Sequence, residues 1–146
     1  MTIDEKRQHV AALVSVAKAA NLEGAEILDK YTVAQLAEIY NGIGPEFLPE
    51  EMRNRVTAYL SIFEAAALIH DVRFQEGNNT RKAFNFANME FRENCRLLGE
   101  FHYAWYNWRR YRAYAVSTIL YEAVSSDLGW IAFNQASNTN TKGETP

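Results

Sequence analysis

The sequence predicts an all-α fold, a helical bundle around a long antiparallel helix hairpin. Three observations carry this expectation. Apolar residues recur at helical spacing almost throughout, nothing alternates over strand-like lengths, and the interruptions are Gly/Asn turns of the kind that end helices. With 146 residues, 48% of them apolar and 13% aromatic, the chain suits one domain with a substantial core.

Ile3, Val10, Leu13, Val14 and Ala17 form one stripe of a first helix, which should end near Asn21 and Gly24. Thr32 with Gln35 reads as a capping box that opens a short helix carrying Val33, Leu36, Ala37 and Tyr40. Pro49 at a first helical position, followed by Glu50 and Glu51 at the favourable end of the dipole, starts a long helix running to about Gln75. Gly77-Asn78-Asn79-Thr80 is the clearest turn, and either Asn79 or Thr80 can cap the next helix, which runs toward Gly99. Two long helices joined so tightly should lie antiparallel. Folding about residue 79 sets position 70 opposite 88, 67 opposite 91 and 74 opposite 84.

A third long helix is expected from Glu100 to Ser126, with Phe101, Trp105, Trp108, Arg112, Ala115, Ile119 and Glu122 on a core-facing stripe. After Asp127-Leu128-Gly129, a short apolar segment from Trp130 to Phe133 should dock back on the bundle. The expected organisation is one helical domain over 1–136 and a polar, disordered tail over 137–146. No internal repeat or interdomain linker is visible.

A formal charge of −3 is mild and argues neither for wholesale nucleic-acid binding nor for an acidic disordered protein. A single cysteine, Cys95, excludes an intramolecular disulfide; on a helix with Phe84, Phe91 and Leu98 it reads as a small core residue. No signal-like apolar region follows the charges at Asp4 to Arg7, and no stretch approaches the roughly 20 apolar residues of a membrane span. The compartment stays open between cytoplasmic and virion-associated.

The residues that could carry chemistry are a glycine loop, Asn41-Gly42-Ile43-Gly44-Pro45, a helical pair, His70-Asp71, and Asn88 on the next helix. Each has a plain structural explanation. A lone histidine on a buried helix face is usually a satisfied core residue, and a helix C-cap followed by a turn accounts for the glycine loop. Together they say more, because the hairpin register sets His70 against a polar side chain and neighbouring helical residues point about 100° apart, so Asp71 can face the loop.

With Phe74 and the run Ala87-Asn88-Met89-Glu90-Phe91, this set resembles the phospholipase A2-like superfamily in its small, disulfide-free prokaryotic and viral form. There the pattern reads roughly Asn-Gly-Cys-Gly-Pro, His-Asp-x-x-Tyr and Ala-Asp-x-x-Phe. The resemblance spans about Asn41 to Cys95. It implies that His70 takes a proton from water attacking an ester, while calcium polarises the carbonyl and stabilises the oxyanion. Asp71 and carbonyls around Gly42 and Gly44 would be the calcium ligands. The chain departs from the pattern at two linked positions: the acid that orients the histidine is Asn88, and the tyrosine that would bond that acid is Phe74. Glu90, two residues on, lies on the far side of its helix. An amide can hold the imidazole but cannot stabilise the imidazolium, and in the serine-protease case that exchange lowers the rate about 10⁴-fold.

The resemblance therefore implies a degenerate site with low or absent calcium-dependent lipid ester hydrolysis, in a protein retained as a virion or scaffold component. Its partners would be a phospholipid membrane surface or other virion proteins, with homo-oligomerisation open. Two alternatives stand beside it: an active calcium-dependent phospholipid acyl hydrolase, and an unrelated helical module binding nucleic acid. The last rests on Arg109, Arg110 and Arg112 interleaved with Trp105, Trp108 and Tyr111, which could meet phosphates by charge and bases or headgroups by stacking. A solvated basic helix face explains the same residues.

Overall fold

The computed structural model of the chain describes residues 1–42 and 50–143, with side chains described for 1–42 and 59–138. Within these limits the protein is an all-α bundle of seven helices with no strand. Helix α1, Ile3–Ala19, opens with a capping box: the Thr2 hydroxyl accepts from Glu5 N, and the Glu5 carboxylate accepts from Thr2 N. Val10, Leu13 and Ala17 are buried along it, whereas Ile3, expected on the same stripe, lies in solvent. Asn21 and Gly24, both at positive φ, turn the chain into a 3₁₀ helix, Ala25–Lys30. Helix α2, Val33–Ile39, carries the Thr32–Gln35 capping box.

Helices α3, Glu50–Glu76, and α4, Arg81–His102, form the hairpin. Asn79 sits in the left-handed region and Thr80 is the N-cap, its hydroxyl accepting from Ala83 N. Pro49, read as the first helical residue, lies outside the described residues. The run Ala65 to Ile69 is buried at every position, so this part of α3 has no solvent face. The other helices pack around it as a centre.

The long helix expected from Glu100 to Ser126 is two pieces. Helix α4 continues through Gly99 to His102, and α5, Trp108–Val124, starts afresh where the Asn107 side chain accepts from Arg109 N. Gly99 does not end α4; it lies against Ala113 and Tyr114, where its lack of a side chain lets α5 approach. The break changes which face is buried: Phe101, Trp105 and Trp108 are exposed, and Ala113, Val116, Ser117 and Leu120 form the inner stripe.

Helix α6, Asp127–Gly143, closes the bundle. Phe133 inserts among Phe74, Phe84 and Trp130, forming a second small core. A Cβ at Gly77 would overlap the Phe133 ring, so the turn's glycine is what admits α6. The polar residues from 137 onward, expected as a tail, begin inside this helix: Ser137 is fully buried and its hydroxyl donates to Phe74 O at 3.1 Å. A polar sequence enters a helix here because its hydroxyl satisfies a backbone carbonyl near the end of α3. Among the described residues no helix is long and apolar enough to cross a membrane.

Asn94 ties the loop after α1 to the hairpin. It is fully buried, its Oδ1 accepts from Glu23 N at 2.8 Å, and its Nδ2 donates to Glu23 O at 2.9 Å. Asn94→Ala would strand both backbone groups, and we expect a loss of about 3 kcal/mol in urea unfolding at neutral pH.

Candidate functional site

The hairpin register brings His70 and Asn88 together. His70 Nε2 lies 2.8 Å from Asn88 Oδ1, and Asn88 Nδ2 donates to Val124 O at 3.3 Å. The second bond fixes the amide, because its nitrogen must face the carbonyl of α5 and its oxygen must therefore face the imidazole. His70 then carries its proton on Nε2 and donates it to Asn88, which leaves Nδ1 as an unprotonated acceptor. Among the described residues Nδ1 has no hydrogen-bond partner.

The rest of the histidine is in apolar contact. The Phe74 and Phe91 rings lie 4.0 and 4.9 Å from the imidazole, centroid to centroid. Burial therefore pushes the His70 pKa down to about 4, and the bond to Asn88 offsets only part of that. Phe74 thus fills with an apolar ring the position where the resemblance calls for a hydroxyl. Glu90 is no substitute acid: it is buried in a bidentate pair with Arg73, at 2.9 and 3.0 Å, beneath the loop at Gly24.

Asp71 is half-buried and faces the glycine loop, accepting at Oδ2 from Asn41 N (2.8 Å) and Gly42 N (3.3 Å). Desolvation pushes its carboxyl up to about 7, against the two amide bonds and the attraction of Lys6, which pull it down. Gly42 has φ +77°, the left-handed conformation a β-carbon would oppose. Calcium needs several converging oxygens. Here the described part of the loop turns amide N–H groups toward the carboxylate, and these would repel a cation. Among the described residues no group of three or more His, Cys, Asp or Glu side chains is arranged to hold a metal. The described donor set is one carboxylate engaged by two loop amides. Gly44, the other expected contributor, lies outside the described residues.

His70, Asp71 and Gly42 line one cavity of about 140 Å³. Its remaining surface is largely apolar, with Phe74 and Phe91 from the hairpin, Leu120 and Ala123 from α5, and a row of small residues, Gly129, Ala132 and Ala136, from α6. The contribution of α6 was not anticipated, although its small residues recur at helical spacing, because sequence alone did not set that helix over the hairpin. A second cleft adjoins across Asn41 and Gly42, where Glu64 receives both His9 Nε2 and the Tyr40 hydroxyl.

The other residues singled out lie elsewhere. Trp105, Trp108, Arg109, Arg110 and Arg112 gather at the α4–α5 corner, where α5 begins about 24 Å of helix before Val124 at the cavity. Cys95 is fully buried and its thiol pKa is pushed well up, consistent with a core side chain. Compared with protein-family models, with curated proteins and with solved structures, the chain matches none.

A neutral buried histidine imposes a defined pH dependence. Its folded pKa near 4 lies below the unfolded value near 6.5, so the unfolded chain binds the extra proton. The contribution is fully present above pH 6.5 and is lost as pH falls toward 4. His70→Gln keeps an amide donor for Asn88 but does not titrate. Between pH 7 and 4.5 the wild type should therefore lose up to roughly 3 kcal/mol more than His70→Gln in urea unfolding.

Proposed function

We propose that the cavity beside His70 receives the acyl part of a small lipid or ester, and that its histidine–asparagine pair is a hydrolase-like site with low or absent activity. One observation carries the reading: a histidine held in a single tautomer by Asn88 at 2.8 Å stands at the wall of a small, mostly apolar cavity. Apolar walls with one or two polar groups are the usual chemistry of a site for an aliphatic ligand. The phospholipase A2-like resemblance supports the same assignment, with His70 as base and Asn88 as the partner that orients it.

Any hydrolysis would begin at Nδ1, the lone pair left free when Nε2 bonds to Asn88. A water held there could attack an ester carbonyl at the mouth of the cavity while its proton passes to the imidazole. Two features weaken this step. A histidine with its pKa near 4 is a poor base at neutral pH, and an amide offers no charge to stabilise the imidazolium. Asp71, engaged with the loop amides, is not aimed at the imidazole and supplies no such charge in this reading.

The test separates binding from catalysis. Ala132→Phe should fill the cavity and abolish protection of the protein by a short-chain fatty acid in thermal unfolding. Asn88→Asp should raise fatty-acid release from short-chain phosphatidylcholine at least tenfold, at a cost of about 1 kcal/mol for the lost donor to Val124 O. Fatty-acid protection that persists in Ala132→Phe would overturn the reading.

A further inference from the structure

The corner between α4 and α5 is unlike the rest of the surface. Trp105 and Tyr106 are 71% and 77% exposed, and Phe101, Trp108 and Tyr111 are each about half exposed or more. Exposure of this much aromatic area in one place is costly for a protein with nothing to cover it. The corner is also ordered. The Tyr111 hydroxyl donates to Trp105 O at 2.9 Å, and Asn107 caps α5, so the connection of residues 103–107 is held in shape. These rings are therefore displayed on a fixed backbone.

The exposed charges carried by residues 101–112 have one sign. Residues 101–112 contain three arginines and no acidic residue, in a chain whose formal charge is −3. Arg110 turns inward toward Glu100, at 4.0 Å. Arg109 and Arg112 stay exposed, with their guanidinium carbons 5.0 and 5.6 Å from the Trp108 ring centre.

We propose that this corner docks on an anionic phospholipid surface, with Phe101, Trp105 and Tyr106 entering the interface and Arg109 and Arg112 meeting headgroup phosphates. Tryptophan and tyrosine favour the headgroup region, where an apolar ring and a polar tip are both accommodated, and arginine carries its charge to the phosphate level. Shape decides against a nucleic-acid strand. Such a strand is followed by a positively charged groove, whereas these side chains stand out from a helix–helix corner and line neither of the two clefts described above. The corner lies at the opposite end of α5 from the His70 cavity, so the proposal stands whether or not that cavity takes an acyl group.

Co-flotation with vesicles of phosphatidylcholine alone, and with vesicles of phosphatidylglycerol and phosphatidylcholine in equal parts, tests this on the full chain. Binding should be confined to the anionic vesicles, weaken with salt, and bring a blue shift in tryptophan emission. Arg109→Gln with Arg112→Gln should lower the partition about tenfold or more. Trp105→Ala with Tyr106→Ala should lower it comparably and remove most of the blue shift. Phe86→Ala with Met89→Ala, exposed on another part of α4, should leave it unchanged. Circular dichroism establishes that each variant is folded. Absence of vesicle binding, binding indifferent to the corner variants, or binding to single-stranded DNA in preference to vesicles would each overturn the proposal.

Discussion

The constraint on which the structure turns is that the stretch of α3 from Ala65 to His70 must be covered on every side. From Ala65 to Ile69 each residue is buried, so no single partner helix suffices. Helix α4 takes one face, α1 and α2 another, and α6 a third. A central helix of this kind gains stability wherever it is apolar and incurs a cost wherever it is polar, and α3 carries both His70 and Arg73 into that environment.

Helix α4 meets those costs. Along one helix, Asn88 receives the His70 proton, Glu90 receives the Arg73 guanidinium in two bonds, and Asn94 satisfies both backbone groups of Glu23. Each polar side chain of α4 that faces inward answers a specific donor or acceptor. The candidate site is one rung of this series, and its histidine is held by the same device that holds the fold. What sets it apart is that its histidine also lines a cavity.

Much of this could be read from sequence. The hairpin register follows from a four-residue turn and helical geometry alone, which is why the approach of position 70 to 88 was foreseeable. The Thr32–Gln35 capping box is local in sequence and was visible for that reason, whereas the Thr2–Glu5 box, equally local, emerged only from the structure. The α4–α5 break was not visible, because residues 100–126 keep a helical period and the signal for a restart is one asparagine cap whose effect depends on packing. Two other features were equally out of reach. Ser137 reads as polar tail until Phe74 O supplies its partner, and the direction of the loop amides toward Asp71 is a matter of backbone orientation that residue types do not encode.

The third wall of the cavity comes from Gly129, Ala132 and Ala136, more than fifty residues after His70 in the chain. During synthesis the hairpin leaves the ribosome well before those residues do. For that interval the face that becomes the cavity is an open apolar trough, bordered by Phe74 and Phe91 and carrying an uncovered histidine. The cavity is thus made by the arrival of a late segment, not hollowed from a finished core.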